Sequence, residues 1–300
     1  MSAGRASAAS DAGFDPTALL TPSGNLRRRR AFSRLAEYGA TGAALLAVAV
    51  LGIVVFTVAK RGASALSFEF LFSGEPAGIG PAIVGTVVIV VLATAVAMPI
   101  GILTALYLTE FAGGGRVDRT IRMTLDLING LPSIVIGLFV FGLLVYGRPQ
   151  FAFAGSVALA IIELPLIARG SQEVLLLVPA SLREAAEALG VSRWRTVLGV
   201  ILPAALPGIL TSTVLAVARA AGETAPLILL SSVFDGRFVS LNPSEALPNI
   251  PVTIFNLSEE ANPEGFARAW GSSLVLLAAI LLASLGARAL LARSSARMSR

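Results

Sequence analysis

The chain has 300 residues, of which 55% are hydrophobic and only 14% charged, and it carries a net charge of +5 at neutral pH. That balance is too apolar for a soluble domain of this length, and the apolar residues are gathered into long runs, as a membrane solvent requires. Cysteine and histidine are both absent, which excludes disulfides and thiolate nucleophiles and removes the usual general base and commonest metal ligand, so a hydrolase triad or zinc site is not expected.

Residues 1–26 are rich in Ala, Ser, Gly and Thr without apolar periodicity. Together with the Arg27–Arg30 cluster and Arg34 they read as a disordered tail over 1–37. From Tyr38 to Ala59 runs an apolar stretch of about 22 residues, long enough to cross a bilayer and longer than a signal-peptide core of about 7–15. This first span, 38–59, reads as an anchor with its N-terminus inside. A mixed loop from Lys60 to Gly80 leads to a second span, Ile79 to Leu108, in which Pro99 and Gly101 are placed to bend or tilt the helix.

Gly113, Gly114 and Gly115, with Arg116, Arg119 and Arg122, form an inner loop. It does not read as a phosphate cradle, because no strand precedes it and no Lys-Ser/Thr pair follows. The single lysine of the chain is Lys60, so the Walker A lysine is missing and this chain does not read as a P-loop ATPase. A third span from Leu125 to Tyr146 contains Asn129-Gly130-Leu131-Pro132-Ser133. The fourth runs from Phe151 to Ala168, the fifth from Pro203 to Val233 and the sixth from Trp270 to Leu291, with Phe234–Ala269 between the last two as outer material. Tyr146 and Trp270 stand where an aromatic belt would be.

Positive charge sorts by side. Arg5, Arg27, Arg28, Arg29, Arg30, Arg34, Arg116, Arg119, Arg122, Arg169, Arg183, Arg193, Arg195, Arg288, Arg293, Arg297 and Arg300 fall on one side of a six-span path, against Lys60, Arg61, Arg148, Arg237 and Arg268 on the other. The positive-inside rule then puts both termini and the loop 173–203 in the cytoplasm.

That loop carries the densest local signals. Ser181 and Glu184 have capping-box spacing, Leu182–Leu189 reads as a short helix, Gly190 is placed to end it, and Ser192 can cap a second helix running through Trp194 and Val197 towards Pro203. The residues Glu184-Ala185-Ala186, then Gly190, then Ile201 and Leu202-Pro203 resemble the EAA loop of ABC-importer permeases, with Val200 at a position where that pattern has Ile. The resemblance implies that Glu184, Ala185, Ala186, Gly190, Leu202 and Pro203 belong to a docking element for an ATP-hydrolysing subunit. An ordinary cytoplasmic helical hairpin is the plainer alternative.

Away from the span ends, three charged residues fall inside apolar spans. Arg219 is near the middle of the fifth, where such a residue costs roughly 2.5–3.5 kcal/mol on the insertion scale and usually lines a polar path. Glu223 is four residues on, one helical turn away. The pair can steady helix packing, or Arg219 can meet an anionic substrate while Glu223 positions its guanidinium, whose planar fork binds two oxygens at once. Glu163, beside Pro165 in the fourth span, suits a packing or water-facing role at least as well as substrate contact.

More narrowly, Ala218-Arg219-Ala220-Ala221-Gly222-Glu223-Thr224-Ala225-Pro226 resembles the signature of the PstA-type permease subunits of phosphate importers. Leu131-Pro132-Ser133-Ile134-Val135, Gly137-Leu138-Phe139, Leu247-Pro248, Ile254-Phe255-Asn256 and Ala269-Trp270 are similar to the same subunits. The resemblance covers residues 80 to 290. It implies an all-α integral membrane protein of about six transmembrane helices with the type I, MetI-like permease fold, its permease domain over 79–291, in a bacterial cell membrane. It implies no catalysis and no cofactor on this chain, with ATP and Mg on a partner ATPase. The implied partners are a PstC-like sister permease, two copies of a PstB-like ATPase and an external PstS-like phosphate-binding protein. A permease for phosphonate, sulfate or molybdate, and an ATP-independent channel or secondary transporter, are the alternatives.

Overall fold

The computed structural model describes residues 26–232, 236–260 and 262–298, and all regular structure among them is helical. It divides into two units, residues 1–55 and 56–300. Helix α1, Leu26–Gly62, begins well before the expected span. Residues 26–37, expected in the tail, are therefore helical, which suits a run of Arg, Leu, Ala and Glu, all good helix formers. The tail before Leu26 lies outside the described residues.

In the second unit a short helix, α2 (Phe68–Phe72), starts at Ser67, whose hydroxyl accepts a hydrogen bond from the Phe70 amide at 3.0 Å. Helix α3, Gly80–Leu106, keeps Pro99 inside it and continues through a widened π-helical turn, Tyr107–Phe111. Next come α4, Arg116–Gly130, and α5, Ser133–Val140, which ends in a second π-helical turn at Phe141–Val145. Helix α6 spans Ala152–Leu176, α7 Ala180–Ala188 and α8 Arg193–Thr196. A third π-helical turn, Val197–Ile201, joins α8 to α9, Leu202–Ala220. The chain closes with α10 (Ala225–Leu230), α11 (Ile250–Glu259) and α12 (Pro263–Met298).

Among the described residues five helices are long and apolar enough to cross a membrane: Arg28–Ala65, Gly80–Phe111, Ala152–Leu176, Arg193–Ala220 and Pro263–Ala289. The count reaches six if α4 and α5, bent by 103° at their junction, are taken as one broken span. The third span, expected over Leu125–Tyr146, is in the structure a broken one that begins earlier, at Arg116. Pro132 disfavours helix at the residue before it, and Leu131 and Pro132 are both extended, with ψ of 137° and 134°.

The fifth span is also corrected. It starts ten residues before Pro203, because the widened turn at Val197–Ile201 carries helix into the proline where a regular turn would bring its ring against the carbonyl four residues back. It stops at Ala220, since a continuing helix would need low-propensity Gly222 in its interior and would set Pro226 against the Gly222 carbonyl. The expected end at Val233 lies outside the described residues. The fourth and sixth helices run past their expected ends, to Leu176 and Met298, and the segment between the last spans holds α11.

Helix α6 is the central post, packed against α3, α4, α5, α9 and α10. Small residues let the helix backbones approach, as membrane packing favours. Ala93, Ala97, Ala154 and Ala158 are fully buried, and a Cβ on Gly170 would stand 2.6 Å from the Ser212 side chain. At the end of the bundle where α3 and α6 begin, polar groups pin the connecting segments. Asn249 caps α11 by accepting from the Val252 amide at 3.1 Å and donates to the Ser231 carbonyl at 2.9 Å. The Thr86 hydroxyl accepts from the Ile250 amide at 2.9 Å.

Candidate functional site

Two places gather the residues singled out above, Glu163 excepted. The first is a cavity of about 190 Å³ lined by Asn129, Pro132, Ser133, Ile162, Arg219 and Glu223, among others. Ile162 and Leu166, also in its wall, lie near the middle of α6, so the cavity stands at mid-height of the bundle. Its shape follows from two helix breaks facing each other: the α4–α5 bend supplies Asn129–Ser133, and the end of α9 supplies Arg219 and Glu223.

Glu223 is not on the same helix as Arg219. Its amide donates to the Ala220 carbonyl at 3.0 Å in the closing turn after α9, and the Gly222 amide donates to the Arg219 carbonyl at 3.1 Å. The two side chains still meet, with Arg219 Nε 3.8 Å from Glu223 Oε1. That is too long for a hydrogen bond. The Arg219 side chain is 60% exposed and Glu223 18%, and among the described residues the guanidinium makes no hydrogen bond. A charged fork directed at a small polar-walled cavity, with a carboxylate near enough to orient it, is suited to an oxyanion. Glu163 is not part of this wall. It is fully buried and accepts a hydrogen bond from the Thr94 hydroxyl at 3.0 Å across the α3–α6 interface.

The second place is the loop after α6. Helix α7 ends as expected at Gly190, whose φ is +69°. The Val191 amide reaches the Ala186 carbonyl at 3.0 Å and the Gly190 amide the Glu187 carbonyl at 2.9 Å, the Schellman arrangement that glycine makes accessible. The capping box is corrected: Pro179 takes the N-cap position and Ser181 lies inside the helix. Proline can begin a helix there because the first amides have no helical partner to lose. Ser192 does precede α8, but through its carbonyl, which accepts from the Thr196 amide at 3.0 Å, with no side-chain cap. Glu184 and Ala185 face solvent, Ala186 is buried, and Pro203 is exposed at the start of α9.

The sequence reading missed what holds this loop in place. Glu110, in the widened turn after α3, is nearly buried and pairs with Arg183 on α7 at 2.7 Å. Arg183 also donates to the carbonyls of Val178 at 2.7 Å and Leu175 at 3.1 Å. The hydrogen bonds to Glu110 hold the Arg183 guanidinium above its ordinary, already high range, against the opposing effect of burial. Arg193 lies 5.8 Å from the Phe111 ring centroid. Nearby, Arg122 pairs with Asp118 at 2.7 Å and donates to the Leu108 carbonyl at 3.1 Å, and Arg169 pairs with Asp126. The signal available was Glu110 itself, an acidic residue closing an apolar run. Among the described residues no three His, Cys, Asp or Glu side chains converge as a metal site.

A family model described as binding-protein-dependent transport system inner membrane component matches residues 97–300. The chain belongs to this family. It is 40% identical to the phosphate transport system permease protein PstA 1 of Mycobacterium tuberculosis, over 70% of this chain and 69% of that protein. With PstA of Yersinia pestis the identity is 34% over 80% of this chain and 83% of that protein, and with PstA of Xylella fastidiosa 33% over 89% and 95%. Among solved structures, a chain of a bacterial ABC transporter involved in alginate import aligns with TM-score 0.59 at 18% identity, covering 86% of this chain and 98% of that one. A chain of the inward-facing MetNI methionine transporter aligns with TM-score 0.56 at 18% identity, covering 72% and 94%. The permease is thus an all-α, multi-pass membrane protein with the MetI-like fold of ABC-importer permeases.

Proposed function

We propose that this permease is one of two membrane subunits of an ATP-driven importer of inorganic phosphate, lining half of the path and performing no chemistry itself. The substrate reading is carried by the 40% identity to a phosphate transport permease over most of the chain. Arg219 supports it, because a guanidinium that stays charged and binds two oxygens at once suits phosphate in a small cavity. In this reading residues 79–291 form the permease domain, and Glu223 keeps the Arg219 fork oriented.

The loop 173–203 would be the docking element, with Glu184 and Ala185 presented outward and Ala186, Gly190, Leu202 and Pro203 shaping the turn between α7 and α9. ATP and Mg would act on a PstB-like ATPase present in two copies, beside a PstC-like sister permease, with a PstS-like binding protein delivering phosphate from outside. Closure of the ATPases would move the loop and open the path outward by rigid-body rearrangement. Both termini and the loop would be cytoplasmic in a bacterial cell membrane, as the arginine distribution supports.

The test is ATP-dependent uptake of radiolabelled phosphate by the reconstituted complex, with the native chain and with Arg219→Gln. Uptake by the native complex and near-complete loss in a variant that still assembles is the expected result. Unchanged uptake in the variant would make Arg219 a packing residue. Uptake of sulfate or molybdate but not phosphate by the native complex would keep the importer and replace its substrate.

A further inference from the structure

A buried carboxylate costs several kcal/mol unless it is paired and hydrogen-bonded, and Glu110, 4% exposed, is paired by one residue of the loop. Arg183 contacts it through two nitrogens: Nη2 at 2.7 Å from Oε1, and Nε at 3.2 Å from each oxygen. The same guanidinium takes up the Val178 and Leu175 carbonyls. Leu175, in the last turn of α6, also accepts from the Val178 amide at 3.3 Å, and Val178 lies just past it, where carbonyls lack the regular helical donor four residues on. One side chain of α7 is therefore bonded to the end of α3 and to the end of α6. The widened turn Tyr107–Phe111 shifts the helical register by one residue, and Glu110 sits on it.

Apart from Arg193 over the Phe111 ring at 5.8 Å, the other contacts between the loop and the bundle are of a different kind. Leu106, Leu175, Val178, Val197 and Ile201 form an apolar cluster, which is non-directional and can slide. Arg193 and Glu187 share a cavity of about 40 Å³ with Glu110 and Arg183, but among the described residues Arg193 forms no ion pair with Glu110 and Glu187 none with Arg183. A fork of charge-assisted hydrogen bonds resists displacement in a defined direction.

We propose that the Glu110–Arg183 pair is the strut through which displacement of α7 is passed to α3 and α6, so that Arg183 is a positioning residue for coupling ATP hydrolysis to transport. The proposal rests on the importer reading given above. It assigns the pair a role distinct from docking: the ATPase would still bind and hydrolyse, but its motion would be transmitted less faithfully.

The experiment uses the whole complex in proteoliposomes and measures phosphate imported per ATP hydrolysed, together with the ATPase retained on purification. The variants are Glu110→Gln, which keeps shape but removes the charge, and Arg183→Lys, which keeps the charge but not the fork. Both are expected to retain the ATPase and its basal hydrolysis, with import per ATP falling at least about fivefold, the lower end of ordinary coupling energies between sites. An unchanged ratio in variants that assemble would overturn the strut. Failure of both variants to retain the ATPase would overturn it too, because the pair would then be an assembly contact. Absence of ATP-dependent uptake in the native complex would instead remove the importer reading on which it rests.

Discussion

Glu163 and Arg219 look alike in the sequence, each a charge inside an apolar run, and the structure separates them. Arg219 lines a cavity and among the described residues its guanidinium makes no hydrogen bond, whereas Glu163 is closed between two helices with Thr94 as its donor. Glu163→Gln keeps an oxygen for the Thr94 hydroxyl and nearly the same volume. It should leave thermal stability and phosphate uptake close to native. Glu163→Ala removes the acceptor, strands the hydroxyl and opens a cavity, which should cost about 2–4 kcal/mol. Thermal unfolding of the purified permease checks the second claim. Loss of uptake in a stable Glu163→Gln variant would return that residue to the substrate path. Residue type and setting made Arg219 legible from the sequence, since the cost of a charge in an apolar run marks it. Arg183 was not legible, because in a basic loop it is one arginine among several, and only the fold brings Glu110, 73 positions away, to its side.

At the scale of elements, hydropathy revealed that apolar helices exist but not where they break. The α4–α5 bend and the end of α9 both fall inside stretches that are continuous in hydropathy, and each is set by proline or glycine chemistry acting with its neighbours. The two breaks are also packed together. A Cβ on Gly137 of α5 would stand 2.7 Å from the Cα of Pro226 at the start of α10, so the segments that bound the cavity touch where only hydrogen fits. Gly137→Val should force them apart and cost about 1–3 kcal/mol, with uptake falling alongside. Gly142, in the widened turn after α5, has no heavy atom within 4 Å of a built Cβ, so Gly142→Val should leave the melting temperature of the isolated permease near native. Equal losses in the two variants would mean that the α5–α10 contact does not set the cavity wall.

At the scale of the whole molecule, the proposed function requires one particular end of the bundle to face the cytoplasm. In the unit 56–300, α3 and α6 both run from the end held by Asn249 and Thr86 towards the end that carries Glu110, Arg183 and the α7–α8 loop, and α9 returns from it. In the proposed function the second end would be cytoplasmic, as the positive-inside rule applied to the arginines predicts. The chain has no cysteine, so single introduced thiols report position without a background. Ser244 is exposed in the segment before α11 and Ser181 is exposed on α7. A membrane-impermeant maleimide applied outside cells freed of any outer barrier should label a Ser244→Cys variant, and should label a Ser181→Cys variant only after the membrane is opened. The reverse pattern would place the loop outside, away from ATP, and an ATPase could not dock there whatever its likeness to an EAA loop. Each thiol is the other's control, because poor reactivity at one site cannot by itself produce labelling at the other.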